Sequence, residues 1–430
     1  MNIAVVGAGI GGMAAAYDLV KQGHKVIIYE GSDAVGGLAK GFKDPSWDWS
    51  VEHFYHHWFT SDNYMLGLID ELGLTDQLVI PRPLTVMYHK EKFYPFDSIP
   101  AAIMYPGLGW GITKIRFGLV TLYLRITNNW KTLEKFTIDE WMRKWAGSKA
   151  YEEMWEPMVI GKFGEEYARQ VTMAWLWARL HARTTRLATF RGGFQEFSNK
   201  FAEKLRQLGV DIQLSTIVNQ IKPAEEGGLN IISEGKTVHF DKVLVTSSPA
   251  ALSRLAPDLP EDYLKGLLSL KSLGAVVMTV ALKHQLSEKG YYWFNLPKKA
   301  GFPFLALVEH TNFLSPEYFG GDHIVYMGDY LPVDHEYFRL SKEELLERFM
   351  PALKRINPNF TPEWVRESWL HRENYAQPIP LVDHSKNIPA IETPLPGLYF
   401  ASMSQVYPWD RGTNFAVEIA KRAVRIMVSQ

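Results

Sequence analysis

Cysteine is absent from all 430 residues. That excludes disulfides, thiol redox chemistry, thiolate metal sites and a cysteinyl link to any cofactor. A charge bias is missing too: 46 Lys and Arg stand against 47 Asp and Glu, for a formal net charge of -1. No global field therefore points to nucleic acid, and no such partner is expected. No uncharged apolar run reaches the ~18 residues that suggest a membrane-spanning helix. The nearest approach, Ala101 to Ile126, is interrupted by Lys114, Arg116 and Arg125 and broken by Pro106, Gly107, Gly109 and Gly111. It reads first as a buried helix pair in a second domain, and second as a monotopic surface that dips into lipid. The opening residues hold no basic segment followed by a cleavable apolar one, so the expected location is cytoplasmic, with peripheral membrane association as the extension of that second reading. Internal repeats and low-complexity tracts are also lacking.

What is present in abundance is aromatic: 13% of residues, including 14 Trp. Large packed cores and an aromatic-lined substrate cavity both account for this. The length suits two or three domains.

The first 37 residues carry the clearest signal. Ile3-Ala4-Val5-Val6 has strand length and leads into Gly7-Ala8-Gly9-Ile10-Gly11-Gly12. An Ala-rich helical pattern follows to Val20, then a second strand, Lys25 to Tyr29, ending at Glu30. Strand, glycine turn, helix, strand and acid stand in the order of a dinucleotide-binding βαβ unit. Gly7 permits the tight turn, Gly9 lets backbone approach a pyrophosphate, and Gly12 lets helix meet strand. The helix start offers free N–H groups to phosphates. Glu30 is placed to accept from a ribose 2′-OH. Spacing alone leaves NAD and FAD both open.

Gly31 then leads to a further pair, Gly36-Gly37, followed by Leu38, a second close approach of backbone to an extended ligand. With this combination the chain resembles the flavoprotein superfamily of amine oxidases, protoporphyrinogen oxidases, phytoene desaturases and UDP-galactopyranose mutases. The resemblance implies FAD as cofactor, and an α/β fold with a Rossmann-like FAD-binding domain, an α+β substrate domain and a helical insertion, discontinuous in sequence. The implied pieces are 1–80, 190–265 and 390–430 for FAD; 81–100 and 266–389 for a sheet-based substrate domain; and 101–189 for a helical cap facing a membrane or partner.

The same resemblance places further residues. Val51, Glu52 and His53, in WDWSVEHFYHHWF, fall where the family passes beside the flavin ring. His53 and His57 have i, i+4 spacing, but with no HExxH pattern or supporting acid no metal is expected. Val218 matches the element whose backbone meets the adenine. Ser247 ends a strand returning to the flavin domain. Ser402 stands where the family usually has glycine. Asp410, Arg411, Gly412, Thr413 and Asn414 open the last helix at the expected flavin edge, where N–H donors stabilise negative charge on reduced flavin. Tyr375 and Tyr407 are candidates for an aromatic pair flanking the ring, with His53 lining it. No lysine at the site is evident, and Lys114, Arg116, Arg179, Arg183 and Arg186 read as solvated or structural.

The expected activity is an FAD-dependent oxidoreductase that dehydrogenates a C–N or C–C bond of a small, apolar or aromatic substrate, in a monomer or homodimer. Two alternatives stand beside it: a flavin-dependent isomerase similar to UDP-galactopyranose mutase, and an FAD-binding partner protein without turnover.

Overall fold

The computed structural model describes residues 1–109 and 111–429. Its organising element is a five-stranded parallel sheet in the order Asp211–Gln213, Lys25–Tyr29, Asn2–Val6, Lys242–Val245, Leu398–Phe400. The strands nearest its centre are apolar runs because both faces are covered. Helices Ile10–Lys21, Phe194–Gln207 and Thr413–Val428 close one face through Met13, Phe197, Phe201 and Val417. The other face packs against a three-stranded meander, Val218–Pro223, Leu229–Ser233 and Lys236–Phe240, and against the helix Pro249–Leu255.

A second, seven-stranded sheet runs in the order Val365–Pro378, Ser272–Leu282, His323–Leu331, Ala306–Glu309, Tyr291–Asn295, Leu84–His89, Lys92–Pro95. The last two strands form a hairpin whose turn residues, Lys90 and Glu91, both have positive φ (47° and 59°). That is the turn geometry a two-residue hairpin prefers. The helix Lys342–Ile356 covers this sheet and starts with a complete capping box between Ser341 and Glu344. The 14-residue strand Val365–Pro378 was not anticipated. It carries Tyr375 near its end.

Helices between Ile99 and Ala182 build a third core, with Trp155, Phe163, Trp175 and Trp177 at its centre. The chain enters this insertion after Lys92–Pro95 and leaves it through Leu187–Phe190, which pairs with Trp58–Phe59. The expected buried helix pair is corrected here. In Ile99–Met104 no residue is buried, and in Ile112–Ile126 only Phe117 and Leu124 are. Ile112, Ile115, Leu119, Leu122 and Ile126 are exposed, since the core beneath has room for one narrow stripe of the helix. Among the described residues no helix is long and apolar enough to cross a membrane.

Candidate functional site

At the carboxyl ends of the parallel strands lies a cavity of about 670 Å³, where open α/β sheets bind their ligands. Gly7, Gly9, Ile10, Gly11 and Gly12 form its floor. Gly12 must be glycine, because a Cβ there would sit 1.9 Å from the Gly7 carbonyl oxygen. Gly36 joins Gly9 in an isolated parallel bridge, and its N–H donates to the Ala8 carbonyl at 2.9 Å. Gly37, at φ +58°, would push a Cβ to 3.0 Å from the Gly9 Cα. The two glycine loops thus press backbone to backbone. Glu30, on the same wall, accepts from the N–H of Ala8 at 2.7 Å and of Ser32 at 2.9 Å.

Beyond the glycine loops the wall changes character. Leu38, His53, His56, His371, Tyr375, Ser402, Arg411, Gly412 and Thr413 line it. His53 and His371 are stacked. Burial pushes their pKa values down to about 4 and about 3, and His56 to about 4, so all three are neutral at pH 7. The Tyr375 hydroxyl bonds to Ser404 Oγ, and burial raises its pKa. Arg411 donates to Gln377 Oε1 at 2.9 Å and to the Tyr330 hydroxyl. Thr413 Oγ1 accepts from Trp58 Nε1 at 2.8 Å, which pins the start of the last helix to the segment before it.

Other expected site residues lie elsewhere. Tyr407 is turned into the helical core, its hydroxyl donating to Glu134 at 3.1 Å and its ring packed on Trp130 and His384. It does not pair with Tyr375 across the cavity. Asp410 binds Lys162 at 3.1 Å, Trp175 Nε1 at 3.0 Å and Arg179 in place of its neighbour Arg411, whose charge still helps hold the carboxyl ionised. Asn414 Oδ1 accepts from the N–H groups of Tyr64 and Met65, both at 3.0 Å, so its side chain caps the helix Asn63–Glu71. Val51 and Glu52 lie behind the wall. Val51 belongs to an apolar cluster, while the buried Glu52 carboxyl meets Phe194 N–H at 3.3 Å and the Tyr326 hydroxyl at 3.4 Å. Burial raises the Glu52 pKa to about 7. Val218 starts the first strand of the meander and packs toward the parallel sheet, and Gly31 lies against Ile217 outside the lining.

Two contributors were missed. His371 sits in a polar-looking strand, and only its pairing partner His53 gives it meaning. Lys162 is buried beside Asp410, and its one sequence signal is a lone cation inside the apolar stretch MVIGKFG.

The model of the family described as flavin containing amine oxidoreductase matches residues 10–428. The chain belongs to the flavin-containing amine oxidoreductases. A 15-cis-phytoene desaturase of Glycine max is 23% identical over 387 residues, covering 84% of this chain and 66% of that protein. A second, from Capsicum annuum, is 25% identical over 288 residues, or 61% of this chain and 48% of that one. The chain thus spans about half to two thirds of the length of these curated relatives. Among solved structures, cyclohexylamine oxidase from Brevibacterium oxydans superposes with a TM-score of 0.73 at 16% identity, covering 100% of this chain and 98% of that one. A reduced UDP-galactopyranose mutase gives 0.74 at 15% identity, covering 99% and 96%. Both share the fold of this flavin-containing amine oxidoreductase. The cofactor is FAD, and the cavity fits it. The paired glycine loops leave room only for backbone, and two buried polar atoms of lining residues, Ser247 Oγ and His371 Nε2, have no protein partner.

Proposed function

We propose that the chain is an FAD-dependent oxidoreductase that dehydrogenates a C–N or C–C bond of a small organic substrate by hydride transfer to the flavin. One observation carries this reading: the glycine floor and the wall of His53, His371, Tyr375 and Arg411 belong to one continuous cavity. The cofactor supplies the hydride acceptor. The N–H groups opening Ile10–Lys21 receive the pyrophosphate, and Glu30 receives the ribose hydroxyls. Gly412 and Thr413, at the start of the last helix, turn its positive end toward the cavity. The neutral His53, His371 and Tyr375 wall off the ring end from water.

The test is anaerobic. Purified protein is expected to be yellow, and amines, porphyrinogens and polyenes are screened for bleaching of the flavin. A colourless preparation that takes up no added FAD overturns the reading. Turnover of a sugar nucleotide only after dithionite reduction replaces it with isomerisation.

A second part of the proposal concerns location, a cytoplasmic protein in peripheral contact with a membrane. It rests on the exposed face of Ile99–Met104 and Ile112–Ile126, where Ile99 is 78% and Ile112 75% accessible, with Lys114, Arg116 and Arg125 on the same segment. Apolar side chains with interspersed cations suit an anionic lipid surface. The protein is expected to float with anionic vesicles, and Ile115→Glu with Leu119→Glu to abolish flotation. Flotation unchanged by that pair sinks the idea.

A further inference from the structure

We infer that Met403 is an oxidation site, converted to its sulfoxide by hydrogen peroxide formed in the flavin cavity. The inference rests on the proposed oxidoreductase reading, with dioxygen as the electron acceptor.

The chain has no cysteine, so its sulfur is confined to 14 methionines. Met13, Met65, Met278 and Met427 are fully buried in the cores, while Met1 and Met104 are 46% and 68% accessible at the surface. Among the described residues Met403 is the one methionine in the lining of the flavin cavity, and no tryptophan shares that lining. The Met403 thioether is therefore the group in the cavity wall that peroxide oxidises most readily by oxygen transfer.

The local structure holds the thioether in place. Strand Leu398–Phe400 ends at the cavity, and the single turn Met403–Gln405 follows it. The residues around Met403 are buried and bonded. Ser402 N–H donates to Gln405 Oε1 at 2.8 Å, Gln405 Nε2 donates to the Phe400 carbonyl at 3.0 Å, and Ser404 Oγ bonds with the Tyr375 hydroxyl. Met403 itself is half-buried, packed against the helical side of the parallel sheet's core. With its neighbours pinned on both sides, the backbone cannot turn it away from the cavity.

The chemistry balances with no help from a neighbouring base. Two electrons and two protons passing from the reduced cofactor and solvent to dioxygen give hydrogen peroxide. The thioether sulfur attacks one peroxide oxygen; the O–O bond breaks, a sulfur–oxygen bond forms, and the other oxygen leaves as water. Sulfur is oxidised by two electrons and peroxide is reduced by two. A thioether has no proton to lose, so unlike a thiol it reacts without a lowered pKa. The product is polar and chiral where the thioether was flexible and apolar, and its formation is reversible by enzymatic reduction. Turnover with oxygen thus carries its own brake, a mark placed on the cavity wall by peroxide that reacts before it escapes.

The experiment uses FAD-loaded protein. The flavin is reduced anaerobically with light and EDTA, and air is then admitted in the dark with catalase present to destroy peroxide that escapes. After repeated cycles the methionine peptides are mapped by mass spectrometry. Met403 is expected to carry an added oxygen at roughly ten times the level of Met104, although Met104 is the more exposed of the two. Peroxide added to the solution without cycling is expected to reverse that order. Met403→Leu conserves volume and is expected to show no added oxygen on that peptide and no drift of the flavin spectrum, while the wild type drifts. A flavin that air does not reoxidise, a Met403 left unmodified, or a Met104 oxidised as fully as Met403 overturns the inference. The wild-type peptide map decides if the variant does not fold. A colourless protein fails the cofactor reading and takes the inference with it, whereas a yellow protein with intact Met403 fails the inference alone.

Discussion

His371 lies flat against His53, with ring centroids 4.0 Å apart and planes 8° from parallel. The first comes from the edge strand of the seven-stranded sheet, and the second from the segment that follows the paired glycines, so the stack ties the two parts of the cavity wall together. Its protonation has a definite sign. Both folded pKa values lie below the unfolded value near 6.5, so the unfolded chain binds more protons between about pH 3 and 6.5. Their contribution is fully present above pH 6.5 and is lost as pH falls through that window. His371→Phe keeps the stack and removes one titrating group. Urea unfolding at pH 7 and pH 5 is expected to show a smaller acid loss in the variant, and an unchanged loss would count against this assignment.

Gly12→Ala places a methyl 1.9 Å from the Gly7 carbonyl oxygen, a backbone atom that cannot step aside. A loss of about 3–4 kcal/mol in chemical unfolding is expected, at the upper end for one substitution. Gly9→Val fills space beside Gly37 and is expected to abolish flavin retention; a yellow variant would contradict the loop assignment.

Glu30→Ala removes the acceptor of the Ala8 and Ser32 N–H groups as well as the ribose contact. FAD affinity is expected to fall by about 1.5–3 kcal/mol, measured by fluorescence titration of the apoprotein. Equal affinity would place the ribose contact elsewhere.

Asp410→Asn is expected to cost about 3–5 kcal/mol, because it leaves Lys162 and Arg179 without their shared counter-charge. Lys162→Met in the same chain should recover part of that loss. A double variant no more stable than Asp410→Asn alone would show that the two groups are not coupled.

Glu52 carries the opposite pH sign to the histidines. Its folded pKa of about 7 lies above the unfolded value of 4.5, so the folded chain holds the extra proton and stability falls as pH rises through that interval. Glu52→Gln keeps an acceptor for Phe194 N–H and cannot ionise. It is expected to match the wild type below pH 4.5 and to exceed it above pH 7 by up to about 3 kcal/mol, at about 1.4 kcal/mol per unit. Parallel pH curves for the two proteins would refute this.

How far the sequence could be read depended on what each element shows to water. Asn2–Val6 and Lys242–Val245 are legible because a strand covered on both faces is almost wholly apolar. Val365–Pro378 is illegible for the converse reason: as an edge strand it carries Arg366, Glu367, Arg372 and Glu373, and only the neighbouring Ser272–Leu282 declares it. In the site, backbone contributions were the readable part, since Gly7, Gly9, Gly36 and Gly37 act through the side chains they lack. Side-chain direction was not readable. Asp410 and Arg411 are adjacent yet point to different partners, and Tyr407 and Asn414 flank them while facing other cores. Lys162 shows the limit most clearly: a residue ordinarily solvated is buried because its partner lies 248 positions away.

That separation has a consequence for how the protein comes into being. The floor of the flavin cavity is translated first, but the Gly11 turn rests on Ala416, and the bond from Trp58 to Thr413 spans 355 positions. A ribosome must therefore release the chain through Thr413 and Ala416 before these contacts can close the pocket. Such distant closures are slow to form, and until they do the first helix exposes the apolar side that Val417 and Ala420 later cover. Flavin supplied during synthesis would meet half a site, so cofactor capture belongs to the end of folding rather than its beginning.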